Sequence, residues 1–331
     1  MTTTGHSIVG VWFTCRIRRA HSLALQAKGY GAMRTLSMLP VVVLPLLLEV
    51  LQHVQKFDGP RDLDSVEYMA GEAQISHAVA RRGLNSIAYD KVYHHTLNDI
   101  NTKDGFHVAL ELALRVTRHG CIWCAPVCSS WVWIGRAGSG RTARKAHGNP
   151  RVPRVRAGNA MVVRLVILMI VVWLRGVHIF VENPMSTLVH YFSPFREVVE
   201  TLLKHKTTVC LSAYGAPSRK AVTLWSTTPL VKTLHRVPGK ARERLSIRGK
   251  DGSVTGRRGA LKSSQAYPKA FGEAVAGVIK QIAVQKDPAD LLDEDLEDLL
   301  VQIIADKGDK ESPKKEQGNK DTRKRSKRCR A

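Results

Sequence analysis

The sequence predicts an α/β domain of three layers around a mostly parallel sheet, from about residue 61 to residue 285. Short apolar segments of strand length alternate there with segments of helical spacing, and several apolar segments end in a carboxylate. A hydrophobic content of 44% is ample for a buried core. We expect the last strands to form an antiparallel hairpin.

The first predicted unit is a strand, a turn and a helix. Residues 63–74 have the pattern of a short strand that enters a turn of small residues containing Gly71. Residues 75–79 have apolar side chains at helical spacing, and Gly83 is predicted to cap this helix. Such units build parallel sheets.

Asp90 ends the next predicted strand, residues 84–90. In nucleotide-binding α/β folds, a carboxylate at this place accepts hydrogen bonds from ribose hydroxyls. A dinucleotide fingerprint needs three glycines, whereas Gly71 stands alone. The pattern therefore favours a cofactor without phosphates, such as S-adenosylmethionine.

The alternation continues with two more strands and a helix. Residues 96–100 are predicted as a third strand, and Asp104 as the cap of a helix whose apolar residues share one face. Gly120 is predicted to end this helix, and residues 121–125 to form the fourth strand.

The longest apolar segment, residues 160–174, contains Arg164 and is shorter than the roughly 20 residues that span a bilayer. It is predicted as a helix buried against the sheet, and membrane contact is not expected. Residues 177–181 form the next predicted strand, which ends in Glu182 and Asn183, where open α/β folds place their ligands. Two further strands are predicted at residues 207–214 and 221–227.

Cys128 follows the fourth strand and is a candidate nucleophile. Free cysteines are mostly small buried hydrophobic residues, so an inert role stays open. Cys121, Cys124 and Cys128 with His119 or His147 also suggest zinc, but residues three apart on a strand point to opposite faces. We therefore expect no metal site, and six scattered cysteines indicate a reducing intracellular compartment.

The order of these motifs resembles the cytosine-5 DNA methyltransferase family over roughly residues 61–283. Residues 67–71, Glu-Tyr-Met-Ala-Gly, look like its first cofactor motif, and Asp99-Ile100 like the pair near the adenine. The resemblance implies a Rossmann-like methyltransferase fold that binds S-adenosylmethionine. The implied cofactor contacts are Glu67, Ala70, Gly71, Asp90, Asp99 and Pro126.

Three later segments resemble the catalytic motifs of the family. Residues 125–128 are similar to the proline-proline-cysteine motif, residues 180–183 to the glutamate-asparagine motif, and residues 214–220 to the tyrosine-glycine-x-proline motif with its arginines. The resemblance implies that a cysteine thiolate adds to carbon 6 of cytosine, so that carbon 5 accepts a methyl group.

The same resemblance assigns roles to four residues. Cys128 is the nucleophile, Glu182 the acid at the ring nitrogen, and Asn183 a support of the local backbone, with Arg219 in the arginine motif. The chain departs from the family at the Gly71-Glu-Ala-Gln turn and in the arginine motif. These departures favour an alternative, a catalytically inactive nucleic-acid-binding module. An RNA cytosine methyltransferase is a third interpretation.

The formal net charge of +23 predicts attraction to DNA or RNA through phosphate contacts. Residues 131–158 are basic and carry Gly138 and Gly140, and we expect them to close over a flipped base. Residues 234–264 occupy the place of the target-recognition region of the family. The predicted nucleic-acid contacts are Arg136, Arg141, Arg144, Lys145 and Lys220.

The chain ends are predicted as separate segments. Residues 1–60 form a basic and apolar extension, which fits an organelle-targeting peptide, a signal anchor or an ordinary extension. Residues 286–306 are predicted as an acidic amphipathic helix, and residues 307–331 as a disordered basic tail. The tail ends in Arg323-Lys-Arg-Ser-Lys-Arg328, which fits a nuclear import signal or nonspecific DNA tethering. A nuclear localisation is expected, with an organelle as the alternative if residues 1–60 are a targeting peptide. The oligomeric state is left open.

Overall fold

The structure is a computed structural model that describes residues 50, 54, 57–238, 244–250, 254–257, 259 and 264–284. Most of the predicted N-terminal extension, the predicted acidic helix at 286–306 and the predicted basic tail at 307–331 lie outside these residues. The predicted α/β domain is therefore the part of the chain whose fold is described.

A six-stranded sheet forms the middle layer. Its strands are β1 (Leu63–Tyr68), β2 (Ser86–Tyr89), β3 (Val116–Cys124), β4 (His178–Pro184), β5 (His205–Cys210) and β6 (Ala221–Ser226). The strand order is β2-β1-β3-β4-β6-β5, in which β1 to β4 are parallel and β6 is antiparallel to both of its neighbours. The predicted fold class, with a mostly parallel sheet and a late antiparallel hairpin, is confirmed.

Helices cover both faces of the sheet. They are α1 (Gln74–Ala80), α2 (Lys103–Arg115), α3 (Arg136–Ser139), α4 (Pro153–Leu174), α5 (Ser193–Thr201) and α6 (Lys269–Val284). The buried residues of α2, α4 and α5 belong to the core on one face, and those of α1 and α6 to the core on the other face. A small separate hairpin pairs β7 (Ser246–Arg248) with β8 (Val254–Gly256).

The period of two along β3 separates the two cores. Ile122 and Cys124 pack on the side of α4, whereas Cys121 and Trp123 pack on the side of α6. Cys121 and Cys124 thus point to opposite faces, as the sequence predicts. Glu67 of β1 is in register with Trp123 and therefore lies on the α6 side.

Helix α4 is longer than the sequence predicts. It begins at Pro153 instead of residue 160, so the argument that it is too short to cross a bilayer is wrong. By length and composition this helix matches a membrane span. In the structure most of its apolar residues pack in the core against the sheet, and a buried core helix accounts for its composition.

The predicted third strand at residues 96–100 is wrong, because side chains there bond to the local backbone. His94 Nδ1 accepts the Leu97 N–H, and the Asp99 carboxylate accepts the Asn101 N–H. Thr102 is the N-cap of α2, since its hydroxyl accepts the Gly105 N–H at 2.9 Å. The predicted cap at residue 104 is therefore wrong by two positions.

The prediction that Gly120 ends α2 is wrong. The helix ends at Arg115, and Gly120 lies inside β3. A Cβ at this position would stand 2.8 Å from the Asp64 carbonyl oxygen, so the glycine permits a close approach of the β1 backbone. The glycine marks strand packing instead of a helix terminus.

Helices α1 and α6 pack closely at Gly272, and this contact yields a test of the fold. A Cβ at Gly272 would lie 2.6 Å from the Gln74 carbonyl oxygen, whereas a Cβ at Gly277 of the same helix meets nothing nearer than Arg82 at 3.8 Å. We expect Gly272→Ala to lower the free energy of unfolding by about 1–3 kcal/mol through overpacking. Gly277→Ala is the control and should raise it by about 0.5–1 kcal/mol through helix propensity. Equal effects in urea unfolding would contradict this packing.

Candidate active site

The candidate residues meet at the carboxyl ends of β1, β3 and β4. These strands are parallel neighbours, so the loops that follow them lie at one edge of the sheet. Two clusters can be distinguished at this edge. The cysteine cluster comprises Cys128, Glu182, Lys220 and Tyr267, and the turn cluster comprises Glu67, Gly71 and Asp90.

Glu182 is a buried carboxylic acid at the end of β4. Its side chain is 5% exposed, its Oε2 accepts a hydrogen bond from the Tyr267 hydroxyl at 2.9 Å, and its Oε1 has no hydrogen-bond partner in the described part of the chain. Burial raises the pKa of Glu182, and the Lys220 charge and the Tyr267 hydrogen bond oppose this rise. The group is thus biased toward its neutral, proton-donating form.

Tyr267 connects the two clusters. Its hydroxyl donates to Glu182 and accepts the Trp123 indole N–H at 3.4 Å. Burial raises the pKa of Tyr267 well above its usual range, and the charges of both Glu182 and Glu67 add to this rise. Since both carboxylates act on one hydroxyl, they face a common region on the α6 side of the sheet.

Asn183 braces the loop that carries the cysteine. Its side-chain amide is fully buried and donates to the Pro126 carbonyl at 2.9 Å. Pro126 precedes Cys128 by two residues, so the end of β4 fixes the backbone after β3. This contact agrees with the backbone role predicted for Asn183, and it makes Pro126 a structural contact of that residue.

Cys128 is half-buried and lies between charges of opposite sign. Burial raises the pKa of its thiol, the Lys220 charge lowers it, and the Glu182 charge raises it. Lys220 also donates to the Ser264 carbonyl at 3.1 Å, which holds the ammonium at this edge. A thiolate at Cys128 is therefore favoured when Glu182 is neutral and Lys220 is charged.

A pocket of about 200 Å³ adjoins the cysteine cluster. Lys220 and Tyr267 line it together with Ser218, whose buried hydroxyl has no hydrogen-bond partner among the described residues. The rest of the lining is formed by Leu211, Gly215, Ala216, Pro217, Ser264, Ala266 and Pro268. A small polar ligand would find a cation and hydroxyl groups there.

Glu67 is the buried acid of the turn cluster. It is 1% exposed, and its Oε2 accepts both the N–H and the hydroxyl of Ser76, each at 2.8 Å. Its Oε1 has no hydrogen-bond partner within the described ranges. Burial raises the pKa of Glu67 to about 7, against the hydrogen bonds from Ser76. Glu67 Oε1 is therefore a buried oxygen whose hydrogen-bonding capacity the described residues leave unused.

Asp90 and Gly71 are joined across the turn. Asp90 Oδ2 accepts the Gly71 N–H at 2.9 Å, and Oδ1 accepts the Val92 N–H at 3.0 Å. The Tyr93 hydroxyl donates to the Gly71 carbonyl at 2.6 Å. Gly71 has φ +54°, and a Cβ there would meet nothing within 4 Å, so the space over the turn is open. Asp90 shapes this turn while each of its oxygens keeps a free lone pair.

Three other predicted site residues lie at the margins of the clusters. Ala70 is buried beside the turn, and Asp99 bonds the backbone ahead of α2, as described above. Arg219 is exposed beside Lys220. The structure thus brings Cys128 and Glu182 together with Lys220 instead of Arg219.

The predicted nucleic-acid contacts differ in exposure. Arg136, Arg144 and Lys145 are exposed, and Lys220 is half-buried in the cysteine cluster. Arg141 is 0% exposed, and burial lowers its pKa to about 10. Arg141 is therefore a structural cation, and a phosphate contact is open only to the exposed members of the set.

The residues fit the cofactor that the resemblance implies. The unpartnered Oε1 of Glu67 and the open space over Gly71 offer an acceptor and room at the same turn.

No group of three or more metal-ligating side chains occurs among the described residues. No protein-family model matches the chain, and no curated protein matches it.

Sequence reasoning missed the partners of the two acids. Ser76 donates a hydrogen bond to Glu67 from 9 residues along the chain. Tyr267 donates one to Glu182 from 85 residues along the chain. Residues 266–272, Ala-Tyr-Pro-Lys-Ala-Phe-Gly, resemble the last motif of the family, and this resemblance was the sequence signal near Tyr267. Ser218 gave no signal beyond its place in the tyrosine-glycine-x-proline segment.

The pKa of Glu67 gives a pH-dependent stability. Because it is raised from 4.5 to about 7, the folded state holds a proton that the unfolded state releases. The stabilisation is full below pH 4.5 and is lost as pH rises through 7. Relative to wild type, Glu67→Gln should gain up to about 3 kcal/mol in free energy of unfolding between pH 4.5 and 8. Glu72→Gln, at an exposed position of the same turn, is the control and should show no such trend in urea titrations.

The charge of Lys220 gives a second test in this site. Lys220→Met removes the cation that lowers the pKa of Cys128, so the pKa should rise and iodoacetamide should alkylate Cys128 severalfold more slowly at pH 8. Lys220→Arg should keep most of the rate, and Lys232→Met controls for net charge at an exposed site. Mass spectrometry of the Cys128 peptide gives the rate. An unchanged rate in Lys220→Met would show that the Lys220 charge does not lower the pKa of Cys128.

Proposed function

We propose that this protein transfers a methyl group from S-adenosylmethionine to carbon 5 of cytosine in DNA, through a covalent adduct at Cys128. The proposal is carried by one observation, the meeting of Cys128, Glu182 and Lys220 at the carboxyl edge of a mostly parallel sheet. Thiol, buried acid and cation are the groups that the reaction requires, and they come from three separate segments.

The roles of these side chains follow from their surroundings. Cys128 supplies the nucleophile, and the Lys220 charge favours its thiolate. Glu182 is biased toward its protonated form, so it can donate a hydrogen bond to the ring nitrogen as electron density builds there. Asn183 holds the loop of Cys128 in place through Pro126.

The turn cluster is where the cofactor would be held. When bound, the cofactor supplies an electrophilic methyl group on a sulfonium. Glu67 offers an unpartnered carboxylate oxygen, and Asp90 offers the remaining lone pairs of its carboxylate to ribose hydroxyls. Tyr267 bonds Glu182 and its pKa is raised by the charge of Glu67, which supports one cleft shared by both halves of the reaction.

The test uses the full chain, a cytosine-containing DNA duplex and S-adenosylmethionine with a labelled methyl group. Cys128→Ser should reduce transfer to background, because a hydroxyl is a much weaker nucleophile than a thiolate. Glu182→Gln should reduce it by about 10²–10⁴-fold. Cys210→Ser is the matched control, since Cys210 is a half-buried cysteine at the end of β5 whose thiol bonds the Ser212 hydroxyl, and should leave transfer intact.

Retained activity in Cys128→Ser would overturn the mechanism. Calorimetry with S-adenosylhomocysteine tests the cofactor separately: wild type should bind it, and Glu67→Ala should bind it more weakly. Replacing the DNA by RNA of the same sequence in the transfer assay decides between the two nucleic acids as acceptor.

A second candidate function is nucleic-acid binding without turnover. It is favoured by the turn cluster, in which Asp90 already accepts two backbone N–H groups and Tyr93 bonds Gly71. It is also favoured by the burial that raises the pKa of Cys128. Salt-sensitive binding of DNA or RNA, with neither methyl transfer nor binding of S-adenosylhomocysteine, would establish this function instead.

A further inference from the structure

We propose that Trp133 is a stacking platform for an unpaired base of single-stranded nucleic acid, on a loop that is fixed beside Cys128. Trp133 is 52% exposed, and Ile134 in the same 3-10 turn is 40% exposed. The Arg136 guanidinium lies over the Trp133 ring, 3.7 Å from its centroid. A cation thus backs an indole whose surface is half open to solvent.

Arg141 fixes the loop from within. Its buried guanidinium donates to the carbonyl oxygens of Ala146 and Val155 and to the Ser130 hydroxyl. It also lies 3.3 Å from the centroid of the Trp131 ring. These contacts join both ends of the loop to the start of α4, so the loop does not depend on a ligand for its form.

Backbone bonds tie the same loop to the active-site strands. The Cys128 carbonyl accepts the Trp131 N–H at 2.8 Å, and the Trp131 carbonyl accepts the Leu188 N–H at 2.8 Å. The Trp133 N–H donates to the Ser186 carbonyl at 3.2 Å. Trp133 is therefore placed relative to Cys128 on one side and to the segment after Glu182 on the other.

Gly140 shows how the glycines serve this form. It ends α3 with φ +65°, which favours glycine, and a Cβ there would stand 3.4 Å from Asn149. The glycine permits a tight turn in the ordered loop. The loop thus has its own internal bonds.

The charge of the surrounding surface selects an anionic partner. The chain has no aspartate or glutamate between Leu112 and Val181. Strand β8 of the small hairpin lies next to the Trp133 turn. The exposed basic residues of the loop and the start of α4 are Arg136, Arg144, Lys145, Arg151, Arg154 and Arg156. An exposed aromatic ring within a basic surface is the combination that binds single strands.

The form of the loop favours an unpaired base over a duplex. Bases in a duplex stack on one another, and a ring held in a fixed turn reaches only a base that is already free. A protein partner that docked on apolar surface would use Ile134 as much as Trp133. The two neighbouring residues therefore distinguish the two kinds of partner.

The experiment measures binding of the full chain to a fluorescent twelve-residue oligodeoxythymidine, to an abasic strand of the same length and to a duplex, by anisotropy at fixed salt. Trp133→Ala should weaken binding of the oligodeoxythymidine about tenfold or more, as expected for loss of a stacked base. It should leave the abasic strand and the salt dependence unchanged, because the phosphate contacts remain.

Two variants serve as controls. Trp133→Phe keeps a ring and should retain most of the affinity. Ile134→Ala removes exposed apolar surface from the same turn and should bind the oligodeoxythymidine as wild type does. Equal loss in Ile134→Ala, equal loss on the abasic strand, or unchanged binding in Trp133→Ala would each overturn the platform.

This inference rests on the proposed nucleic-acid partner and not on methyl transfer, so the two can fail separately. Loss of base-dependent binding in Trp133→Ala supports the platform even if the wild type transfers no methyl group. Methyl transfer to a duplex that Trp133→Ala leaves unchanged, with no base-dependent binding of single strands, overturns the platform and leaves the proposed function standing.

Discussion

The edge of the sheet that carries the candidate site depends on two carboxylates that are buried without full compensation. Glu67 and Glu182 each satisfy one oxygen and leave the other without a hydrogen bond among the described residues. A buried carboxylate oxygen without a hydrogen bond destabilises the folded state, and the packing of the two hydrophobic cores must offset this loss. A domain that needed only to fold would be better served by apolar residues at both positions, so these acids mark this edge of the sheet as a candidate functional site.

Much of the fold follows from local sequence pattern, because buried strands and amphipathic helices have recognisable spacings of apolar residues. The strands that carry Glu67, Asp90 and Glu182 were predicted at the correct places. The strand predicted at residues 96–100 is wrong because polar side chains there bond the local backbone. The spacing of apolar residues gives no sign of such bonds. Helix α4 was predicted too short, since its polar first two turns lack the apolar character of the rest.

The site was predictable only in part. Motif order placed Cys128 beside Glu182, whereas the partners that set their chemistry depend on long-range packing. Tyr267 reaches Glu182 across 85 residues, and no local pattern encodes that contact. Arg141 was taken for a surface cation because the segment is basic; its burial under Trp131 becomes visible only when the loop is folded. Charge counts thus identify a basic surface without saying which cations belong to it.

The cysteine cluster couples two protonation equilibria. An ionised Glu182 raises the pKa of Cys128, so the pair holds one negative charge more readily than two. That charge can reside on Glu182, where Lys220 and the Tyr267 hydrogen bond stabilise it, or on Cys128, where Lys220 stabilises it. Under the proposed function, the cytosine ring nitrogen accepts a hydrogen bond from protonated Glu182. This bond favours the state in which Cys128 carries the charge. Binding of the base would then itself promote the thiolate, which reconciles a buried thiol of raised pKa with a nucleophilic role.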